Sequence, residues 1–288
     1  MIDDRLVVDA HTHVAKLPTL SGDWQAWASQ FGSSTPMQEL FDNGTPIPAA
    51  IDRHFGEQGA DHVLLFCEYS PKVTGTQPIE DVLPVVAHNP ARFHPVACIN
   101  PHLHYPPARE LARQAALGAV AVKIHPVHGG FEASDRMLYP AYAWAEQHQL
   151  PVIVHCGTST FAGSVNGYAD PALLDPVFRD FPDLVVVLAH GGRGWWYDAA
   201  AFMALSNERV WIELSGLPPP RLREYYARHN WARLTRRMIF GTDWPGVPGI
   251  AANARAVAAL CPDQETAALV LAGNACRVYR VETSGLTG

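Results

Sequence analysis

Short apolar runs recur along the chain at 6–10, 62–66, 93–99, 119–124, 151–154, 184–189, 210–214 and 238–240. Runs of this length, rich in Val and Ile and bounded by turn formers, predict strands buried on both faces, as in a parallel sheet. Between them lie stretches with helical spacing, at 106–117, 139–149, 171–181, 196–207 and 222–234. Several open with Pro, whose missing N–H does no harm in a first turn. A closing helix is expected near 264–273. The order is strand then helix, repeated, and after the first unit the runs begin about 25 to 33 residues apart, close to one unit of a ~250-residue barrel. No linker or composition shift interrupts the series. The pattern therefore predicts one α/β domain over 1–288, a (β/α)8 TIM barrel. The rival, an open doubly wound sheet, usually carries a glycine-rich turn after its first strand, and neither GxGxxG nor GxxxxGK[ST] occurs.

Composition narrows the class. The chain has 288 residues, 48% hydrophobic and 17% charged, with a formal net charge of −7, which suits a large buried core and excludes disorder as the main state. No apolar run reaches the ~18 residues of a membrane span, and the first residues are acidic where a signal peptide is basic. A cytoplasmic location is expected. Five scattered Cys without a CxxC pair indicate reduced, buried thiols. A net acidic chain without Lys/Arg tracts offers no groove for nucleic acid.

The fourteen His are the anomaly, because several follow the apolar runs directly. In a barrel the active site is built where strands end. In order, those ends read Asp9-Ala-His11-Thr-His13, Lys123-Ile-His125, His155, His190 and Gly241-Thr-Asp243. His11 and His13, two apart on an extended segment, point the same way, and imidazole nitrogens with a carboxylate suit a borderline metal such as Zn2+. Taken singly, each His is an ordinary hydrogen-bonded residue and an HxH is a weak signal. Together on one rim they point to a metal site, since burying unpaired imidazoles is costly.

This constellation resembles the amidohydrolase superfamily, in its aminocarboxymuconate-semialdehyde-decarboxylase-like branch, from the HxH at Val7-Val8-Asp9-Ala10-His11-Thr12-His13 to Gly273-Asn274-Ala275. The resemblance implies that His11, His13, His155 and Asp243 bind one catalytic divalent metal, with zinc expected first and manganese or iron as alternatives. It implies a catalytic or second-metal role for His190 in Ala189-His190-Gly191-Gly192. An ion held by three imidazoles and a carboxylate, with one open position, can lower the pKa of water from ~15.7 toward ~7. Asp243 would accept the proton, and His190 would polarise the substrate or shuttle protons. Lys123 and His125 face one side of the fourth strand. By the resemblance, a carboxylated Lys123 could bridge a second metal held with His155 and His190; the preferred expectation makes Lys123 or His125 a substrate or supporting group, and a Lys paired with Asp243 or Glu213 is the structural alternative.

The loops after the strands are long and aromatic. The segment at about 14–48, with Trp24, Trp27, Phe31 and Phe41, exceeds the ~12–15 residues of simple loops and predicts a lid. Arg193 could clamp a substrate carboxylate, and Trp24 and Trp195 could wall a flat apolar or aromatic substrate. Gly157-Thr-Ser159-Thr does not match GxSxG, so a Ser hydrolase is unsupported. The expected function is metal-dependent hydrolysis of a C–N or C–O bond in a small molecule. The alternative is nonoxidative decarboxylation or hydration of a small carboxylic acid, and a noncatalytic ligand-binding barrel is the reading from another class. Relatives in the resembled family often form dimers, so a homodimer is expected.

Overall fold

A computed structural model describes residues 1–31 and 36–282. Eight strands form one sheet in chain order: β1 (Val8–Thr12), β2 (His62–Phe66), β3 (Phe93–Ile99), β4 (Val122–Ile124), β5 (Val152–Gly157), β6 (Val186–Arg193), β7 (Val210–Glu213) and β8 (Met238–Ile239). Every neighbouring pair is parallel. The ring closes just beyond β8: the Ala10 N–H donates to the Phe240 carbonyl at 3.1 Å, the Asp243 N–H to His11 at 2.9 Å and the His13 N–H to Trp244 at 2.8 Å. This is the expected TIM barrel.

Alternation along the strands sorts the side chains into two cores. Val8, Leu64, Val96, Ile153, Val187, Trp211 and Ile239 pack inside the barrel, where Ala275, Val278 and Tyr279 of the C-terminal helix Asn274–Tyr279 join them. Val63, Leu65, Val122, Val152, Leu188 and Ile212 face out against the helices. Strands covered on both sides read as unbroken apolar runs because neither face meets water. Each fully buried Val, Leu or Ile contributes about 1.5–3 kcal/mol relative to exposure.

Outside the barrel the helices Pro107–Ala116, Tyr139–Gln147 and Tyr197–Ser206 match the expected spans closely. The expected helix at 222–234 is instead two, Leu222–Tyr225 and Trp231–Thr235. Tyr226 turns inward and is fully buried, its hydroxyl donating to the Gly191 carbonyl at 2.7 Å, and Asn230 restarts the helix by accepting from the Arg233 N–H at 3.0 Å. The closing helix Gln264–Ala268 continues as a π turn over Leu269–Gly273. The segment expected as a lid carries the helices Gly22–Ala28 and Met37–Leu40 and a hairpin of Phe41–Asp42 with Thr45–Pro46; its residues 32–35 lie outside the described ones. Among the described residues, all five Cys are free, and no helix is long and apolar enough to cross a membrane.

Candidate active site

Most of the polar mouth follows from pleat alone. On β4 the interior residue Ala121 is followed in phase by Lys123 and His125; on β5 Ile153 is followed by His155; on β7 Trp211 by Glu213; beyond β2 Phe66 by Glu68. β1 and β6 break the phase. Ala10 and Ala189 point inward, so strict alternation would turn His11 and His190 out. The β1–β2 register shifts between Asp9 and Thr12, and the β5–β6 register between Ala189 and Arg193. His190, Gly191 and Gly192 take φ of 65°, 52° and 81°. These irregularities re-aim both His into the cavity. A side chain at Gly191 would strike the Tyr226 hydroxyl, which accounts for glycine there.

The cavity holds about 280 Å³ and is walled by His11, His13, His155, His190 and Asp243 on one side and by Trp24, Trp27 and Phe161 on another. Ligand atoms of His11, His190 and Asp243 lie within 4.8 Å of one another. The His11 Nδ1–H donates to Glu213 at 2.7 Å, leaving Nε2 free, and His13 Nε2 is 3.3 Å from the Asp243 carboxylate. His155 donates from Nε2 to the Gly157 carbonyl at 2.8 Å, so its lone pair is on Nδ1, which is buried without a hydrogen-bond partner among the described residues. His190 donates from Nδ1 to the Ser215 carbonyl at 3.0 Å, which again frees Nε2. The Ser215 hydroxyl donates to Glu213 at 2.8 Å and lies 3.0 and 2.9 Å from Nδ1 of His11 and His190. Glu213 and Ser215 thus orient two imidazoles at once, as carboxylate and hydroxyl partners commonly do around a metal.

Burial sets the protonation states. It pushes His11, His155 and His190 well below the usual imidazole range and keeps them neutral. Burial opposes the charge of Asp243, but the close contact with His13 at 3.3 Å and the positive charge of Arg193 hold it below the usual carboxylate range. Neutral imidazoles with free lone pairs beside an ionised carboxylate are the donor chemistry of a divalent cation, and the grouped ligand atoms of His11, His190 and Asp243 fit such an ion.

Lys123 is fully buried with its Nζ 5.2 Å from the Phe66 ring centroid, and it has no hydrogen-bond partner among the described residues. Burial lowers its pKa, while Glu213, Asp243 and Glu68 favour its charge. Arg193 lines the cavity, donating to the Thr158 carbonyl at 3.0 Å, with Nη1 3.8 Å from Asp243. Trp24 lies in the wall as expected. Trp195 does not: it is 68% exposed and lies outside the cavity lining, because the turn through Gly194 at φ 90° sends Arg193 and Trp195 to opposite sides. Sequence reasoning missed Ser215, Glu68 and His128 as site residues. The carboxylate ending the apolar run Val-Trp-Ile-Glu213 was the visible signal beside Ser215, and Glu68, in phase two residues after the run ending at Phe66, was a signal left unread; His128 sits beyond the strand end, where no run marks it.

A family model described as Amidohydrolase matches residues 8–281. A search of curated proteins finds no sequence match. Among solved structures, an uncharacterized TIM-barrel protein from Bordetella bronchiseptica is similar at 24% identity and TM-score 0.73, covering 96% of this chain and 98% of that one. The 5-carboxyvanillate decarboxylase of Sphingomonas paucimobilis is similar at 16% identity and TM-score 0.67, covering 97% and 100%. A dihydroxybenzoic acid decarboxylase from a Polaromonas species, solved with manganese and the inhibitor 2-nitroresorcinol, is similar at 16% and 0.68, covering 96% and 97%.

Proposed function

The chain belongs to the amidohydrolase family, a group of metal-dependent enzymes, and from that premise we propose that it is a divalent-metal-dependent decarboxylase of a small aromatic carboxylic acid. The observation that carries the reading is the two-sided cavity, with its imidazoles and Asp243 facing an aromatic wall of Trp24, Trp27 and Phe161. A flat aryl ring fits against such a wall, and the guanidinium of Arg193 offers the cationic partner that a carboxylate needs. Two of the similar structures are decarboxylases of aromatic acids, which supports this reading over the hydrolysis that the sequence alone ranked first. Manganese in one of them supports a divalent ion without favouring zinc.

His11 and His13 through Nε2, His155 through Nδ1, and the Asp243 carboxylate would hold the ion. When bound, a divalent cation supplies Lewis-acid polarisation of a substrate oxygen and offsets the substrate's negative charge. Everything else falls to the chain's own groups. Arg193 and the aromatic wall orient the ring and exclude water. In the reaction the bond from ring to carboxyl carbon breaks, CO2 leaves, and a proton takes the vacated ring position. His190 manages that proton: with Nδ1–H held by Ser215, its Nε2 takes a proton from an acidic substrate hydroxyl or from water and passes it to carbon.

The test uses a panel of hydroxylated benzoic acids labelled with 13C at the carboxyl group. Labelled CO2, with one solvent deuterium per product when the reaction runs in D2O, is the expected result. No labelled CO2 from this panel, with solvent 18O entering the acid product when aryl esters or anilides of the same acids are supplied, would replace decarboxylation by hydrolysis.

A further inference from the structure

A second group of ligand-type side chains sits on the wall of the same cavity. Ligand atoms of Glu68, His125 and His128 lie within 4.8 Å of one another, and all three residues are buried. Glu68 opens the hairpin Glu68–Ser70 with Gly75–Gln77, which follows β2; His125 follows β4; His128 lies in the short helix Pro126–Gly129. None of these positions belongs to the first donor set.

The group is incomplete as it stands. Glu68 Oε1, His125 Nδ1 and His128 Nδ1 are all buried with no hydrogen-bond partner among the described residues. The nearest basic nitrogen to the Glu68 carboxylate in this group is His125 Nε2, at 3.9 Å, too far for a hydrogen bond. The His125 and His128 rings stack at 3.9 Å; because imidazole lone pairs lie in the ring plane, His125, whose Nδ1 makes no hydrogen bond among the described residues, would turn out of this stack for both rings to reach one ion. His128 Nε2 is tied to the Ser159 hydroxyl at 2.8 Å, so its ring is fixed with Nδ1 as the free atom. Glu68, with only the neutral hydroxyls of Ser70 and Thr74 as neighbouring donors, and two imidazoles that each keep a buried nitrogen without a partner among the described residues, one of them oriented through its far nitrogen, make a donor set suited to a cation.

We propose that Glu68, His125 and His128 form a second divalent-cation site in this cavity, separate from the donor set of His11, His13, His155 and Asp243. Two imidazoles and a carboxylate suit Mn2+, Fe2+ or Zn2+. His155 stands between the two groups, its ring 4.3 Å from His125 and 4.5 Å from His190, so a substrate entering the cavity meets both. This relocates the second metal that the sequence raised. Lys123 remains a buried amine over Phe66 and takes no part.

The experiment uses the full chain, stripped of metal and titrated with Mn2+ alone, with free Mn2+ followed by electron paramagnetic resonance and bound metal counted by elemental mass spectrometry. The expected result is about two equivalents per chain. Glu68→Gln and His128→Asn should each keep one, and His11→Asn should lose the other. Ser159→Ala removes the hydroxyl that holds His128 and that also accepts from Ser164 and the Phe161 N–H; it should weaken the second equivalent by roughly 10-fold or more and leave the first unchanged. Near-ultraviolet circular dichroism checks that each variant is folded, and Ser159→Ala serves if the ligand variants are not. A single equivalent in the wild type, bound with the same affinity in Glu68→Gln, His128→Asn and Ser159→Ala, would overturn this proposal and leave the first site standing. No Mn2+ bound at all would overturn both.

Discussion

The two ends of the barrel interior are built on the same strands and obey opposite rules. At the rear, Ile153 of β5, Trp211 of β7 and Leu64 of β2 interdigitate as a dry core. Two residues further along, the same pleat delivers His155, Glu213 and, after Phe66, Glu68 into a cavity where several polar atoms have no partner among the described residues. Rear contacts, the unpartnered Tyr279 hydroxyl apart, are apolar and satisfied by the fold itself, so they stabilise it. Mouth groups carry desolvation that the fold does not repay, which is the usual condition of a site that awaits a ligand.

The largest test of this contrast is Trp211→Ala at the rear. It removes a buried indole flanked by Arg237 at 3.9 Å and should cost about 3–5 kcal/mol in urea unfolding, with turnover per folded molecule unchanged. A cost below about 1 kcal/mol would break the contrast. Next comes His190→Asn at the mouth, expected to lower turnover on the order of 10²-fold or more while unfolding stays near that of the wild type; undiminished turnover would remove His190 from the chemistry. Glu213→Gln keeps the shape but replaces one oxygen of the carboxyl group that holds His11 and Ser215, and should weaken metal binding roughly 10–100-fold, measured by competition with a chelator. Equal affinity would make Glu213 a core residue rather than a partner of the site.

The smallest effect belongs to the pair His62 and His94 on β2 and β3, whose ring nitrogens lie 3.1 Å apart. Burial, then the neighbouring His62, pushes His94 down to about 4. A folded pKa below the unfolded value of ~6.5 means the contribution is full above that pH and is lost as pH falls toward 4. Tm should therefore decline over that window, and His94→Gln should flatten the decline. An unchanged slope would show that the pair does not titrate with unfolding.

The legible and illegible parts of the site divide along the same physical line. Lys123, His125 and His155 follow apolar runs in phase, so their inward direction could be read from alternation. His11 and His190 could be recognised as chemically apt, but alternation alone turns them outward; the register shifts in β1 and β6 reverse it. Trp195 looked like a wall for the substrate and faces away, since one glycine with positive φ set its direction. Glu68 followed the β2 run in phase after Phe66 and was overlooked, and His128 carried no local signal. Their grouping depends on a hairpin and a short helix from different units meeting over one cavity.

The sequence by itself determined the number, order and parallel sense of the strands and the presence of ionisable residues at their ends. Strands covered on both faces must be apolar throughout, and any polar residue following such a run stands out locally. The tertiary structure alone decided which nitrogen of each imidazole stays free, which carboxylate holds His11, and which buried groups are left without partners. Those properties arise from atoms brought together across the barrel from residues as far apart as His11 and Glu213, and from backbone irregularities fixed by neighbouring strands, neither of which a local pattern records.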